Sequence, residues 1–267
     1  MAITTATELM INKMNNNPQN SNLTDLHTHI LPSFDDGADS VETALRILQK
    51  QKRNGIERVA LTPHFYPMRE DLDSFLVRRQ QAYASLLACW DGETMPEMRL
   101  GAEVCYTPAL LQMDLHRLTI GEGRYLLLEL PDFGVAACVD RVVAEMLNRG
   151  ITPILAHVER CSVFRSEPNQ LFDLVKMGAL AQIDARALVE RKKDKFALMC
   201  LYKGLAHVIA SDVHNLADRD VCIADIATGK NTEMLSRAER FARSIWDSVL
   251  PPAFDIVSVR KGIFGYY

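Results

Sequence analysis

Residues 41–64, VETALRILQKQKRNGIERVALTPH, hold the pattern that decides the fold. Val41, Ala44, Leu45 and Leu48 share one face at helical spacing. Asp39, followed three residues later by Glu42, predicts a capping box at the helix start. Gly55, just after Lys52 and Arg53, predicts the helix end, where glycine tolerates a left-handed backbone. Val59, Ala60 and Leu61 then make a short strand that runs out at Thr62-Pro63-His64. The same order returns along the chain. Gly150 leads into 152–156 and His157, Gly178 into 179–183 and Asp184, and Gly204 into 207–210 and Ser211-Asp212. Two more apolar runs, 100–106 and 125–130, enclose Glu103 and Glu129.

Strands alternating with helices imply parallel β-structure with right-handed crossovers. Short apolar runs, rather than alternating ones, imply burial on both faces. An α/β barrel or a doubly wound sheet fits, and 267 residues suit one barrel as a single domain over 23–267. The polar segment 1–22, with Asn15-Asn16-Asn17-Pro18-Gln19-Asn20, reads as a flexible N-terminal arm without the apolar core of a signal peptide.

A 48% hydrophobic and 24% charged composition excludes a disordered or fibrous chain. Thirty Lys and Arg against 34 Asp and Glu, with the bases dispersed, speak against nucleic acid. No apolar run reaches the roughly 18–20 residues of a membrane span, so direct membrane insertion is not expected. The 6 cysteines form no C-x-x-C pair, which points to free thiols in a reducing cytoplasm. None has an arginine six positions later, so a thiol-based phosphatase loop is excluded. Cys105 and Cys138 are expected to fill core, and His116 and His207 to be structural.

His27, His29, His64, His157 and His214 lie at or just past predicted strand ends, with Glu103, Glu129 and Asp212 on or beside them. In parallel α/β folds that rim collects functional groups, because its loops vary while the strands fix position. In Asp25-Leu26-His27-Thr28-His29, strand alternation turns both imidazoles to one face. Asp212-Val213-His214 repeats the spacing with a carboxylate. An isolated H-x-H pair carries little weight, but the coincidence of many such groups points to divalent metal. Mixed imidazole and carboxylate ligands suit manganese, iron or zinc. That chemistry favours barrel closure over an open sheet.

These residues also carry a family signature. Residues 25–32 (DLHTHILP), Asp35-Asp36-Gly37, Thr62-Pro63-His64, 101–107 (GAEVCYT), 127–131 (LLELP), 156–160 (AHVER) and 209–215 (IASDVHN) resemble the polymerase-and-histidinol-phosphatase (PHP) superfamily. Within it, they resemble the bacterial manganese-dependent protein-tyrosine phosphatases of capsular and exopolysaccharide synthesis. Val158 and Cys161 depart from the proline and tyrosine usual there, and Phe65 from a residue that is often polar or basic.

The resemblance implies a distorted (β/α)7 barrel holding three divalent ions, manganese first, with iron or zinc compatible. It implies His27, His29, Glu103 and Asp212 around one ion. Glu103 would bridge to a second with Glu129 and His157, and Asp36, His64 and His214 would hold a third. Arg160 and Arg219 would grip phosphate. Clustered dications lower the pKa of bound water from 15.7 toward roughly 7–9, supplying hydroxide for attack. His64 or His214, when free of metal, is expected to protonate the departing phenolate. The implied partner is the phosphotyrosine-bearing tail of a bacterial tyrosine autokinase, and a homo-oligomer is compatible with the sequence.

Rival readings are a PHP phosphatase or phosphodiesterase for a small molecule such as histidinol phosphate, and a non-catalytic metal-binding regulatory module. An amidohydrolase is disfavoured by the absence of a mid-barrel lysine. Tyr266 and Tyr267 read as a tail.

Overall fold

The computed structural model describes residues 22–131, 138–189, 194–220, 223–226, 232–253, 255–259, 261–262 and 265–266. The expected arm therefore lies outside the described residues except for Asn22, as do Cys222 and Tyr267.

The elements in chain order are β1 (Leu23–Asp25), α1 (Val41–Arg53), β2 (Ile56–Leu61), β3 (His64–Phe65), α2 (Leu72–Leu87), β4 (Glu97–Leu100), β5 (Glu103–Cys105), β6 (Tyr125–Glu129), α3 (Val139–Asn148), β7 (Thr152–Leu155), α4 (Ser162–Ser166), α5 (Pro168–Met177), β8 (Leu180–Asp184), α6 (Arg186–Val189), α7 (Lys195–Tyr202), β9 (Val208–Ala210), α8 (Thr232–Trp246), β10 (Lys261–Gly262) and β11 (Gly265–Tyr266). β1, β2 and β4 pair in parallel, as do β3, β5, β6, β7, β8 and β9 in that order. β10 and β11 form a separate antiparallel pair.

The two parallel sheets are one ring with interruptions. β2 continues into β3 across Thr62-Pro63, and β4 into β5 across Gly101-Ala102. Backbone bonds from Gly101 N–H to Leu61 O (2.9 Å) and Glu103 N–H to Pro63 O (3.0 Å) bridge the gap. Pro63 has no N–H to give the ladder, so the strand pairing is interrupted there. The ring closes between its first and last strands. Thr28 bridges Val213 in parallel, His29 N–H donates to Val213 O (2.9 Å), and Asp212 N–H donates to His27 O (3.0 Å). Among the described residues seven parallel strand positions result, the expected distorted (β/α)7 barrel.

Strand alternation sorts the core into two layers. Tyr125, Leu127, Ile154, Leu180, Val208 and Ala210 pack inward, while Leu126, Leu128, Leu155, Ala181 and Ile209 face the surrounding helices. Phe241, Ala242, Ile245 and Trp246 of α8 join the inner layer. This helix closes the end where strands begin: Arg99 lies over the Trp246 ring at 4.4 Å, and the Tyr125 hydroxyl donates to Val249 O at 2.6 Å. The opposite end is left for the ionisable groups.

Several sequence expectations need correction. The cap of α1 is Ser40, whose side chain accepts from Thr43 N–H, and not Asp39. The run 100–106 is two strand pieces in different sheets. Of the run 25–29 only Asp25 lies in a paired strand, the end of β1 (23–25), with Thr28 bridging alone. Cys138 is exposed, with φ of 71°, because it turns the chain into α3. Cys105 is half-buried beside the ionisable cluster. His116 is exposed. His207 is structural as expected, accepting from Ala181 N–H (3.0 Å), and burial pushes its pKa down to about 3.

Glu239 of α8 ties this helix to β1, accepting from Thr24 N–H (2.8 Å) and Thr24 Oγ1–H (2.9 Å). Burial raises its carboxyl from 4.5 to about 7, although the Thr24 bonds pull the other way. The folded chain thus holds a proton that the unfolded chain releases near pH 4.5. Its stabilising contribution is full below that pH and is lost as pH rises through about 7. Glu239→Gln removes the titration and can keep both contacts, its Oε1 accepting from Thr24 N–H and its Nε2–H donating to Thr24 Oγ1. Urea unfolding of both proteins from pH 4 to 9 should show the wild type losing stability relative to Glu239→Gln with rising pH; parallel profiles would contradict this.

Candidate metal centre

The loop after β1 shows how local sequence builds the site. A Cβ on Gly37 would stand 1.9 Å from His29 O, so only glycine lets the Asp35-Asp36-Gly37 turn fold against the histidine. Asp35 Oδ2 then accepts from His29 Nδ1–H at 2.8 Å, and from His64 N–H at 3.0 Å. Asp36 is carried outward to the rim, 59% exposed. His27 is oriented in the same way. Its Nδ1–H donates to Gln182 Oε1 at 3.2 Å, and this oxygen also accepts from His157 N–H at 2.8 Å. Both Nε2 lone pairs are thereby turned to the centre, the usual tautomer control of metal-binding histidines.

The Nε2 atoms of His27 and His29 approach within 3.1 Å of each other. Glu103 Oε2 lies 3.3 and 3.2 Å from them, and Asp212 Oδ1 3.3 and 3.5 Å. Beyond Glu103, His157 Nε2 stands 2.9 Å from Oε1, and His64 Nδ1 3.0 Å from Oε2. Glu129 lies 3.9 Å from each of these histidines. On the other side, Asp36 Oδ1 faces His64 Nε2 at 3.5 Å and His214 Nε2 at 3.2 Å. All nine residues of the sequence-based ligand set therefore converge. The tight groupings are His27, His29 and Asp212; His64, Glu103 and Glu129; and His29, Asp36, His64 and His214. His64 thus reaches into the second grouping as well as the third, where the resemblance had placed His157 alone beside the two glutamates.

The donor set fits divalent ions. Bonds of about 2.0–2.2 Å hold neighbouring ligand atoms roughly 3.0–3.5 Å apart, the spacing found here. Glu103 Oε2, His64 Nδ1 and His214 Nε2 are buried without a hydrogen-bond partner, although each lies beside other ligand atoms. Burial disfavours ionising Asp212, yet His27, His29 and Arg160 hold it far below the ordinary carboxylate range. Burial and the neighbouring Glu103 charge raise Glu129. Burial also disfavours a charged His29, but Asp35 and Glu103 lift it to about 10. Carboxylates packed this closely call for positive charge between them. His157 (φ 32°) and Asp212 (φ 52°) both sit in the left-handed region. Such backbone costs on the order of 1–3 kcal/mol per residue and tends to concentrate at functional sites.

Arginines surround the outer oxygen of Asp212. Arg160 Nη2 donates to Oδ2 at 2.6 Å and Arg219 Nη2 at 2.9 Å, while Arg219 Nη1 reaches Asp36 Oδ2 at 3.2 Å. Both sequence-predicted arginines are thus at the site, side by side. Sequence reasoning missed Gln182, Tyr66, Asp184 and Arg186. Gln182 had a visible signal, as a polar residue inside the apolar run 179–183.

Residues 23–236 match the family of capsular polysaccharide synthesis, CpsB/CapC. The chain is similar to the putative tyrosine-protein phosphatase CapC of Staphylococcus aureus, 29% identical over 206 residues that cover 74% of this chain and 79% of the relative. It is also similar to the tyrosine-protein phosphatase CpsB of Streptococcus pneumoniae, 29% identical over 213 residues, with 73% and 84% covered. Its fold is similar to that in the crystal structures of YwqE from Bacillus subtilis and CpsB from Streptococcus pneumoniae, described as unique metal-dependent tyrosine phosphatases. That likeness has a TM-score of 0.76 at 22% identity and covers 88% of this chain and 100% of the other.

Manganese at about 100 times its dissociation constant should stabilise the fold by roughly 2.7 kcal/mol for each site filled. In thermal melts this is a rise of about 5–10 °C per site, reversed by EDTA. Glu103→Ala removes the two oxygens that face His27 and His29 on one side and His64 and His157 on the other, and should abolish most of the shift. A wild-type melt indifferent to manganese would refute the metal reading.

Proposed function

Because the chain belongs to the CpsB/CapC family of capsular polysaccharide synthesis, we propose that it is a metal-dependent phosphatase that removes phosphate from tyrosine on a protein. The observation that carries this is the division of Asp212. One oxygen faces the imidazole cage and the other meets Arg160 and Arg219. A phosphoryl group placed beside Asp212 would meet cations on one side and guanidinium forks on the other, an arrangement suited to its several charged oxygens.

His27, His29, Glu103 and Asp212 would hold one ion, Glu103, Glu129 and His157, with His64 close by, a second, and Asp36, His64 and His214 a third, with manganese favoured. Divalent ions there would supply charge that makes water nucleophilic at neutral pH and screens the phosphoryl oxygens. The protein's own groups do the rest. Arg160 and Arg219 orient the phosphoryl group for in-line displacement. The Tyr66 ring, stacked on His64 at 5.1 Å, forms an aromatic wall beside the cage against which a substrate phenol can lie. His64 or His214, when not occupied by an ion, gives a proton to the departing phenolate oxygen.

The substrate would be an extended phosphotyrosine segment, such as the tail of a tyrosine autokinase, which can reach the rim without refolding. Residues 23–267 would act as one phosphatase domain in the cytoplasm. Among the described residues no helix is long and apolar enough to cross a membrane.

Arg160→Ala and Arg219→Ala should each lose about 10–100-fold in kcat/KM on a phosphotyrosine peptide, with manganese content retained; unchanged kinetics would remove them from the site. A panel of phosphotyrosine, phosphoserine and histidinol phosphate should show preference for the first. For the proton donor, His64→Gln and His214→Gln are compared on aryl phosphates of differing leaving-group pKa. The variant that loses the donor should show a steeper dependence, and a slope unchanged in both would discard this role.

A further inference from the structure

Arg186 begins α6, directly beyond the strand that carries Asp184. Its Nη2 and Nε donate to Asp184 Oδ2 at 3.0 and 3.3 Å, and its backbone N–H donates to Asp184 Oδ1 at 2.8 Å. The same Oδ2 accepts from Arg160 Nη2, the nitrogen that also holds Asp212. Arg186 Nη1 reaches Asp218 O at 3.4 Å. Asp218 lies in the turn that presents Arg219, a turn pinned by Asn215 Oδ1, which accepts from the N–H groups of Ala217, Asp218 and Arg219 at 2.9, 3.1 and 3.2 Å. Arg186 Nη2 stays 4.0 Å from Asp212 Oδ2, beyond hydrogen-bond range.

We propose that Arg186 is a positioning residue for phosphate binding: by occupying Asp184 and touching the Arg219 turn, it fixes where the guanidinium groups of Arg160 and Arg219 stand. The inference rests on the phosphatase reading above. Asp184 is 4% exposed, so its charge must be neutralised by neighbours. Carboxylates draw arginine into side-on, two-nitrogen pairs. With Arg186 filling that demand, Arg160 spends only Nη2 on Asp184 and remains turned toward Asp212. Without Arg186, Asp184 becomes a trap that pulls Arg160 away from the phosphoryl position. A cavity of about 500 Å³ lined by Glu159, Arg160, Arg165, Asp184, Arg186 and Asp194 gives Arg160 room for this swing.

The test is the binding of inorganic phosphate to the manganese-loaded full chain by calorimetry, together with manganese content and steady-state kinetics on a phosphotyrosine peptide. Arg186→Ala should weaken phosphate and raise KM by about tenfold, with kcat within about threefold and manganese content unchanged. Adding Asp184→Asn to Arg186→Ala removes the trap and should recover a substantial part of the lost phosphate affinity. A merely structural role predicts the reverse, because two damaged neighbours are worse than one. Unchanged phosphate affinity in Arg186→Ala, or a double variant weaker than the single one, overturns the proposal. Should Arg186→Ala fail to fold, Arg186→Lys, which keeps one donor group, should show an intermediate loss, and wild-type affinity in it overturns the proposal equally. A wild type that holds manganese yet neither binds phosphate nor hydrolyses the peptide would instead bring down the phosphatase reading itself.

Discussion

Asp212 shares its carboxylate between two kinds of cation, and the rim of the barrel is organised around that sharing. At 1% exposure the group can stay charged only if its neighbours compensate it. His27 and His29 lie by one oxygen, and Arg160 and Arg219 by the other. The backbone of Asp212 closes the ring by donating to His27 O. Closure of the fold and assembly of the centre are therefore one event: the contact that joins the last strand to the first also sets a carboxylate against two imidazoles.

Much of this was legible in the residues. The repeated order of helix, glycine and short apolar strand gave parallel α/β structure, because burial on both faces and the spacing of turns are local properties. The clustered ligands and the family resemblance, not the pattern, pointed to the barrel. Eight of the nine ligand candidates were visible because each sits on, at or just past a predicted strand end, and strand ends in such folds share one rim. Asp36 came only from the family resemblance. Gly37 was visible only as part of the family signature, and its close approach to His29 O emerges from the structure.

What escaped was the layer behind the ligands. Gln182, which aligns His27 and the His157 backbone, and Asp25, which accepts from Gln51 Nε2 and Ser211 N–H, act through partners remote in sequence. Nothing in their immediate surroundings announces those partners. Arg186 reads as an ordinary helix-start arginine until its distances to Asp184 and Asp218 are known. The cap of α1 and the exposure of Cys138 were misjudged because local pattern ranks neighbouring capping residues poorly and says little about where a loop emerges. The interruptions at Thr62-Pro63 and Gly101-Ala102 were missed because composition reads through a break that only hydrogen bonding reveals.

The bridge from Thr28 to Val213 also bears on how the protein is made. On a ribosome adding about 5–20 residues per second, roughly 10–40 s separate the emergence of the two partners. Throughout that interval the first strand has one edge open, and its two histidines lack the acid that later faces them. The nascent chain thus carries unpaired β-structure and an incomplete cation trap together. The donor group of His27, His29 and Asp212 is therefore complete only once the final strand has docked.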